Sequence, residues 1–291
     1  MAERDRERLR RREGLREARL QAHYAVQWLG RLGGAFVPPQ PDYSHTSLDW
    51  NDALGGFTTK ALKGGMRVGL RIGELAFVFL DKDGKRIESY PLNGRSDRDV
   101  RQMFDRILGA HGLDVAVLDK VAPYEIPAHP IAKGAAYDVG KISGFAGELA
   151  GRFGEAHSAL DRIRQRMTER SFSASPVRGW PHHFDIATLI SLDAGSGEHG
   201  RSVNAGLSPG DKYYDEPYFY VSPYPYPAPA ALPPLSGLGH WHRRDFTAAV
   251  VTMFELIDGG NQKAATKAFL DEAVGAAMKA LDRSPNQNVQ P

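Results

Sequence analysis

Residues 66–93 constrain this chain most tightly. Met66, Val68, Leu70 and Ile72 recur at the two-residue period of a strand, and Gly73-Glu74 can turn the chain. Leu75-Ala-Phe-Val-Phe-Leu80 is an unbroken apolar run, and Asp83-Gly84 is a strong hairpin dipeptide ahead of Lys85–Pro91. Connections this short join only antiparallel neighbours. The pattern therefore predicts a meander of at least three antiparallel strands within a β-rich stretch over 47–93.

Helical periods lie on either side. Tyr24, Trp28 and Leu32 are four apart on one face, and Gly33-Gly34 is expected to stop that helix before the extended Pro38-Pro39-Gln40-Pro41. Ser96 is an N-cap candidate for a helix over 97–111, with Asp97 and Asp99 in its positive first turn. Val100, Met103, Phe104, Ile107 and Leu108 form its apolar stripe, and Gly112 is placed to end it. A short strand is expected over 113–118 and an extended crossing over 122–136. A long helix follows over 140–169, with His157 as a boundary histidine near its stripe. Strands are then predicted at Phe184–Leu192, Ser202–Leu207 and Tyr218–Val221, the first two joined by the glycine-rich loop 194–200. Ser208-Pro-Gly-Asp211 reads as a type II turn. Two helices, over 245–257 and 262–282, complete the pattern, and the tail 284–291 is expected to be disordered.

The class this order predicts is α+β: two helix–antiparallel-strands–helix halves packed as one domain, preceded by a charged N-terminal helix. The expected divisions are a charged extension over 1–22, a first half over 23–136 and a second over 137–283. The shared order raises an internal duplication, although the residues themselves do not repeat.

Composition narrows the partners and the chemistry. Over 291 residues the net charge is only +2, which gives no field to gather nucleic acid. The absence of cysteine excludes disulfides, thiolate zinc sites and a cysteine nucleophile. Arg and Glu crowd residues 3–19 with no apolar segment after them, and no run is long enough to span a membrane. The expected compartment is the cytoplasm, with no membrane partner. Residues 2–22 carry eight arginines against five acids, the mixture of a solvated helix rather than of a nucleic-acid arm.

Chemistry concentrates in residues 180–226. Trp180-Pro-His-His-Phe-Asp185 opens the window and Glu216-Pro-Tyr-Phe-Tyr220 closes on a run of tyrosines and prolines. On a strand, His183 and Asp185 share a face, as a general base with its orienting carboxylate or as two metal ligands. His240-Trp-His242 repeats that spacing, so His183, Asp185, His240 and His242 together form a candidate set for a divalent metal. Glu216 is a second candidate acid. Trp180, His182, Asp211, Tyr218 and Tyr220 are candidate substrate-binding residues, the tyrosines offering apolar area with a polar tip. No serine elbow, phosphate-binding loop, dinucleotide fingerprint or His-Glu-x-x-His motif occurs.

Three stretches also carry a resemblance. Lys85-Arg-Ile-Glu-Ser-Tyr-Pro-Leu-Asn-Gly-Arg-Ser96, Ser175-Pro-Val-Arg-Gly-Trp-Pro-His-His-Phe-Asp-Ile-Ala187 and Glu216-Pro-Tyr-Phe-Tyr220 resemble a bacterial family catalogued as a domain of unknown function, over roughly residues 46–226. The resemblance implies an intact domain of that kind. It brings no activity with it, and no role passes from it to His182 or His183.

Two classes of function follow. In the first, the chain is a small-molecule-binding protein or an enzyme, a hydrolase or a lyase. His183 is then the base, Asp185 its orienter and Glu216 a second acid. In the second, it is a non-catalytic interaction protein. The Tyr/Pro segment 213–229 and the Arg-rich N-terminal helix then meet a partner, a second copy of the chain included.

Overall fold

A computed structural model describes residues 2–119, 124–193 and 200–283. In chain order the elements are α1 (Ala2–Phe36), β1 (Asp49–Asn51), β2 (Gly56–Thr58), β3 (Arg67–Arg71), β4 (Ala76–Leu80), β5 (Arg86–Pro91), α2 (Asp97–Ala110) and α3 (Val139–Glu169). They continue with β6 (Ser173–Ala174), β7 (Arg178–Trp180), β8 (Asp185–Ser191), β9 (Ser202–Ser208), β10 (Tyr218–Tyr224), β11 (His240–His242), β12 (Ala248–Thr252), α4 (Met253–Asp258) and α5 (Gln262–Arg283). The class is α+β, with antiparallel sheets. The chain divides into two compact units: residues 1–154 with 178–185, and residues 155–177 with 186–291. The expected division at 136/137 is thus replaced by one that falls inside α3, and 178–185 belongs with the N-terminal unit.

The first unit holds the predicted meander, in the order β1-β2-β3-β4-β5. Val68 pairs with Phe79 and Leu70 with Phe77, so the apolar alternation of β3 meets that of β4. At the tip of the β4–β5 hairpin, Gly84 takes φ of 79°, and Asp81 Oδ1 accepts from the amides of Asp83 and Lys85. Helix α2 starts in a capping box: Ser96 Oγ accepts from the Asp99 amide, and Asp99 accepts from the Ser96 amide. Its whole predicted stripe is buried. Phe104 lies 5.1 Å from Phe77, 5.8 Å from Phe79 and 5.3 Å from Trp28 of α1, and these rings centre the core.

Three expectations change in this unit. Helix α1 is continuous from residue 2, and burial begins at Leu15 and Ala18, so residues 1–22 are not a detached extension. The helix also runs through Gly33-Gly34, which lie against other chain rather than ending it. A Cβ on Gly33 would stand 2.6 Å from the His45 carbonyl oxygen. The expected strand over 113–118 is a 3-10 turn, Val115–Asp119, and a second 3-10 turn, Pro130–Lys133, interrupts the expected extended crossing.

The second unit carries a sheet of order β11-β12-β10-β9-β8-β6. Strands β8, β9 and β10 follow the predicted pattern, and α5 packs along β9, β10 and β12. The helix expected over 245–257 is a strand over Ala248–Thr252 followed directly by a short helix. Its spacing of Phe246, Val250, Met253, Phe254 and Ile257 mimicked a helical face. However, Ala248-Ala-Val-Val-Thr252 is short and β-rich, and β12 lies between β10 and β11 with its first four residues fully buried. Only Met253–Asp258 is helical. The loop residues 194–199 and the tail 284–291 lie outside the described residues.

Candidate functional site

The strongest candidate begins with a turn held on α1. Residues 181–184 form that turn, in which Phe184 takes φ of 56° and its amide donates to the Trp180 carbonyl at 2.7 Å. The Pro181 carbonyl accepts from His23 Nε2 at 2.9 Å and from Gln27 Nε2 at 2.7 Å. His23 also stacks on Phe184, with ring centroids 5.4 Å apart. Burial lowers its pKa to about 4, so His23 is the neutral imidazole and donates from Nε2. Gln27 in turn accepts from the Tyr124 hydroxyl at 2.9 Å through Oε1. Glycine at position 30 lets the turn approach, because a Cβ there would stand 3.0 Å from the Pro181 ring.

Beside this anchored turn is a cavity of about 530 Å³, within the range of small-molecule sites. Trp180, Pro181 and His182 form one side, Gly30, Arg31, Gly34 and Ala35 of α1 another, and Tyr124, Leu118, Val117, Tyr43, Thr46 and Asp42 the rest. His182 lies between aromatic neighbours, 5.9 Å from Trp180 and 5.7 Å from Tyr124. Burial, with His183 beside it, lowers its pKa to about 4. Burial also raises the Tyr124 phenol. At neutral pH both groups are uncharged and able to hydrogen-bond. Asp42 is held elsewhere. Its carboxyl accepts from Ser44 and faces Arg178 at 3.5 Å, and these contacts, Ser44 first, hold it below the usual carboxylate range.

Of the predicted binding residues, Trp180 and His182 therefore line the cavity. The predicted base pair is not assembled as expected. Because 181–184 is a turn, His183 and Asp185 do not share a strand face: His183 is exposed, whereas Asp185 is buried at the start of β8. Glu216 is no free acid either. It is 5% exposed, and Oε2 accepts from the Phe254 amide at 2.8 Å in the first turn of α4.

The remaining predicted residues form a separate polar and aromatic cluster in the second unit. Asp211 Oδ2 accepts from the Tyr218 hydroxyl at 2.6 Å, and its Oδ1 accepts from the amides of Tyr213 and Tyr214. Tyr220 covers Gly206, where a Cβ would stand 2.5 Å from the ring. The Tyr214 hydroxyl lies 2.9 Å from His240 Nε2 and 3.0 Å from His242 Nδ1, so strand β11 does aim both imidazoles to one side. His242 Nε2 is 2.6 Å from the Arg244 carbonyl, which only accepts. That assigns the proton to Nε2, so the tyrosine donates to His242 Nδ1 and accepts from His240. Both rings are thereby occupied by Tyr214. Among the described residues no group of three or more His, Asp or Glu side chains is placed to hold a metal ion, and the four-residue metal set is not carried further.

Arg31, Tyr124 and Tyr43 were not among the sequence candidates. The available signal was a run of glycines at 30, 33 and 34 inside an otherwise good helix, which marks close approach of other chain. Comparison with protein-family models, with curated proteins and with solved structures returns no match. Function is therefore argued from the site alone. No helix among the described residues is long and apolar enough to cross a membrane.

Proposed function

We propose that this chain is a small-molecule-binding protein whose site is the cavity between the C-terminal half of α1 and the Trp180–His182 turn. The observation that carries the reading is a cavity of about 530 Å³ with aromatic walls and few polar groups, built on a turn that two buried side chains hold in place. Trp180, Tyr43 and Tyr124 supply ring surface, His182 and the Tyr124 hydroxyl supply neutral hydrogen-bonding groups, and Arg31 supplies charge. The reading assigns binding and no reaction, since His183 and Asp185 do not form a paired base.

The test is titration with N-phenyl-1-naphthylamine, a neutral dye that brightens in apolar surroundings. Saturable binding of one dye per chain is expected. Gly34→Leu should weaken it at least about tenfold by filling the cavity. The helix has room for the change, because a Cβ at Gly34 meets only Thr46 Cγ2, at 3.8 Å. Absence of saturable binding, or binding indifferent to Gly34→Leu in a folded variant, overturns the reading.

A further inference from the structure

We infer that the occupant of this cavity is an amphiphilic anion: an apolar, ring-containing body bearing one carboxylate or sulfonate, which Arg31 takes up. The inference rests on the cavity reading and adds the charge of the ligand to it.

Arg31 is half-buried, and its Nε is buried with no hydrogen-bond partner among the described residues. No carboxylate among the described residues forms an ion pair with it. The guanidinium Cζ lies over the Trp28 ring, 4.7 Å from its centroid, a contact that supplies no acceptor for its N–H groups. Asp97, whose Oδ1 accepts from Trp28 Nε1 at 2.8 Å, forms no ion pair with Arg31. Asp42, the one acid among the described lining residues, is engaged by Ser44 and Arg178. Tyr124 and His182 of the lining are neutral. Among the described residues the cavity thus holds a cation with no ion-pair partner against largely apolar walls. A partly buried charge is costly to leave unpaired, and a planar guanidinium matches a carboxylate or sulfonate through paired N–H donors. Among the described lining residues one guanidinium and no second cation match one negative charge, not a polyphosphate.

The experiment compares two dyes of one skeleton on the full chain. These are 1-anilinonaphthalene-8-sulfonate, which carries the anion, and N-phenyl-1-naphthylamine, which lacks it. Each is titrated against the wild type, Arg31→Met and Arg31→Lys. The wild type should bind the sulfonate at least about tenfold more tightly than the neutral dye, the scale of a charge-assisted hydrogen bond. Arg31→Met should abolish that preference, and Arg31→Lys should keep part of it. If the neutral dye binds but the sulfonate has no advantage, or its advantage survives Arg31→Met, the anion assignment is wrong and the cavity reading stands. If neither dye binds, both are wrong. Should Arg31→Met fail to fold, Arg31→Lys decides: its preference must be smaller than wild type, and an unchanged one counts against the guanidinium.

Discussion

Pro181 offers one carbonyl oxygen, and two side chains of α1 donate to it. Gln27 is the more consequential of the two, because it also donates to the His23 carbonyl at 3.1 Å and accepts from Tyr124. It is 8% exposed, so water cannot readily replace what a substitution removes. Gln27→Leu should destabilise the fold by about 1–3 kcal/mol in urea unfolding. Tyr124→Phe should cost less, about 1 kcal/mol. If the two share the hydrogen bond seen here, the double variant will lose less than the sum of the singles, and strict additivity would argue against the bond. At this scale sequence reading was uneven. Trp180 and His182 stood out because an aromatic ring and an imidazole are scarce and chemically loaded. Arg31 did not, because on a helix with many arginines nothing local distinguishes a guanidinium that faces a cavity from one that faces water. Tyr124 comes to Gln27 from 97 positions away, a distance no periodicity spans. His183 and Asp185 were paired by assuming a strand, and the left-handed backbone at Phe184 is what broke that assumption.

Short helix α4 shows how an element can depend on residues outside itself. Its first amides are all satisfied: Met253 donates to the Pro217 carbonyl, Phe254 to Glu216, and Glu255 to Thr252 Oγ1. Thr252 and Glu255 complete a capping box. Thr252→Ala should therefore cost about 1 kcal/mol. Glu216→Leu should cost about 1–3 kcal/mol, since it strands a buried amide. Glu216→Gln keeps an acceptor and should recover most of that loss. If Glu216 were instead a catalytic acid, the stability of Glu216→Leu would stay close to wild type. Urea unfolding of the three variants checks the order. The capping box of α2 was legible, because Ser96 precedes two aspartates and an uninterrupted stripe. The helix read over 245–257 was not, because four of its five supposed stripe residues flank a strand or lie in α4. The deciding factor was tertiary: β10 and β11 provide partners on both sides of Ala248–Thr252. The meander over 67–91 needed no such help, since its alternation, runs and turn residues agree with one another.

Across the molecule, titration couples the candidate site to stability. Burial holds His23 at a pKa of about 4, against an ordinary value of 6.5. Between those values the unfolded chain binds a proton that the native chain refuses, so stability falls as the pH is lowered from 6.5 toward 4. For a side chain only 5% exposed, the shift corresponds to a loss of roughly 2 kcal/mol by pH 5. His182 has the same sign and adds to it. Carboxylates enter lower. Against burial, which would raise it, hydrogen bonds from Gln21 and His129 hold Glu17 below its usual value, and Asp42 is lowered by Ser44 and Arg178. Their contributions are present above the unfolded carboxylate range and are lost only as the pH falls through it. The interval from pH 7 to pH 5 therefore isolates the histidines. His23→Gln retains an amide donor for Pro181 but cannot titrate. It should be less stable at pH 7, having lost the ring stacked on Phe184, and should show a shallower decline toward pH 5. Trp28, Trp50 and Trp180 lie in the first unit and Trp241 in the second, so a Trp241→Phe background makes fluorescence report the unit that contains His23. The slope identifies the histidine where the level alone would not. A His23→Gln profile parallel to wild type over this interval would place the titrating group elsewhere and remove His23 as the neutral anchor of the Pro181 turn.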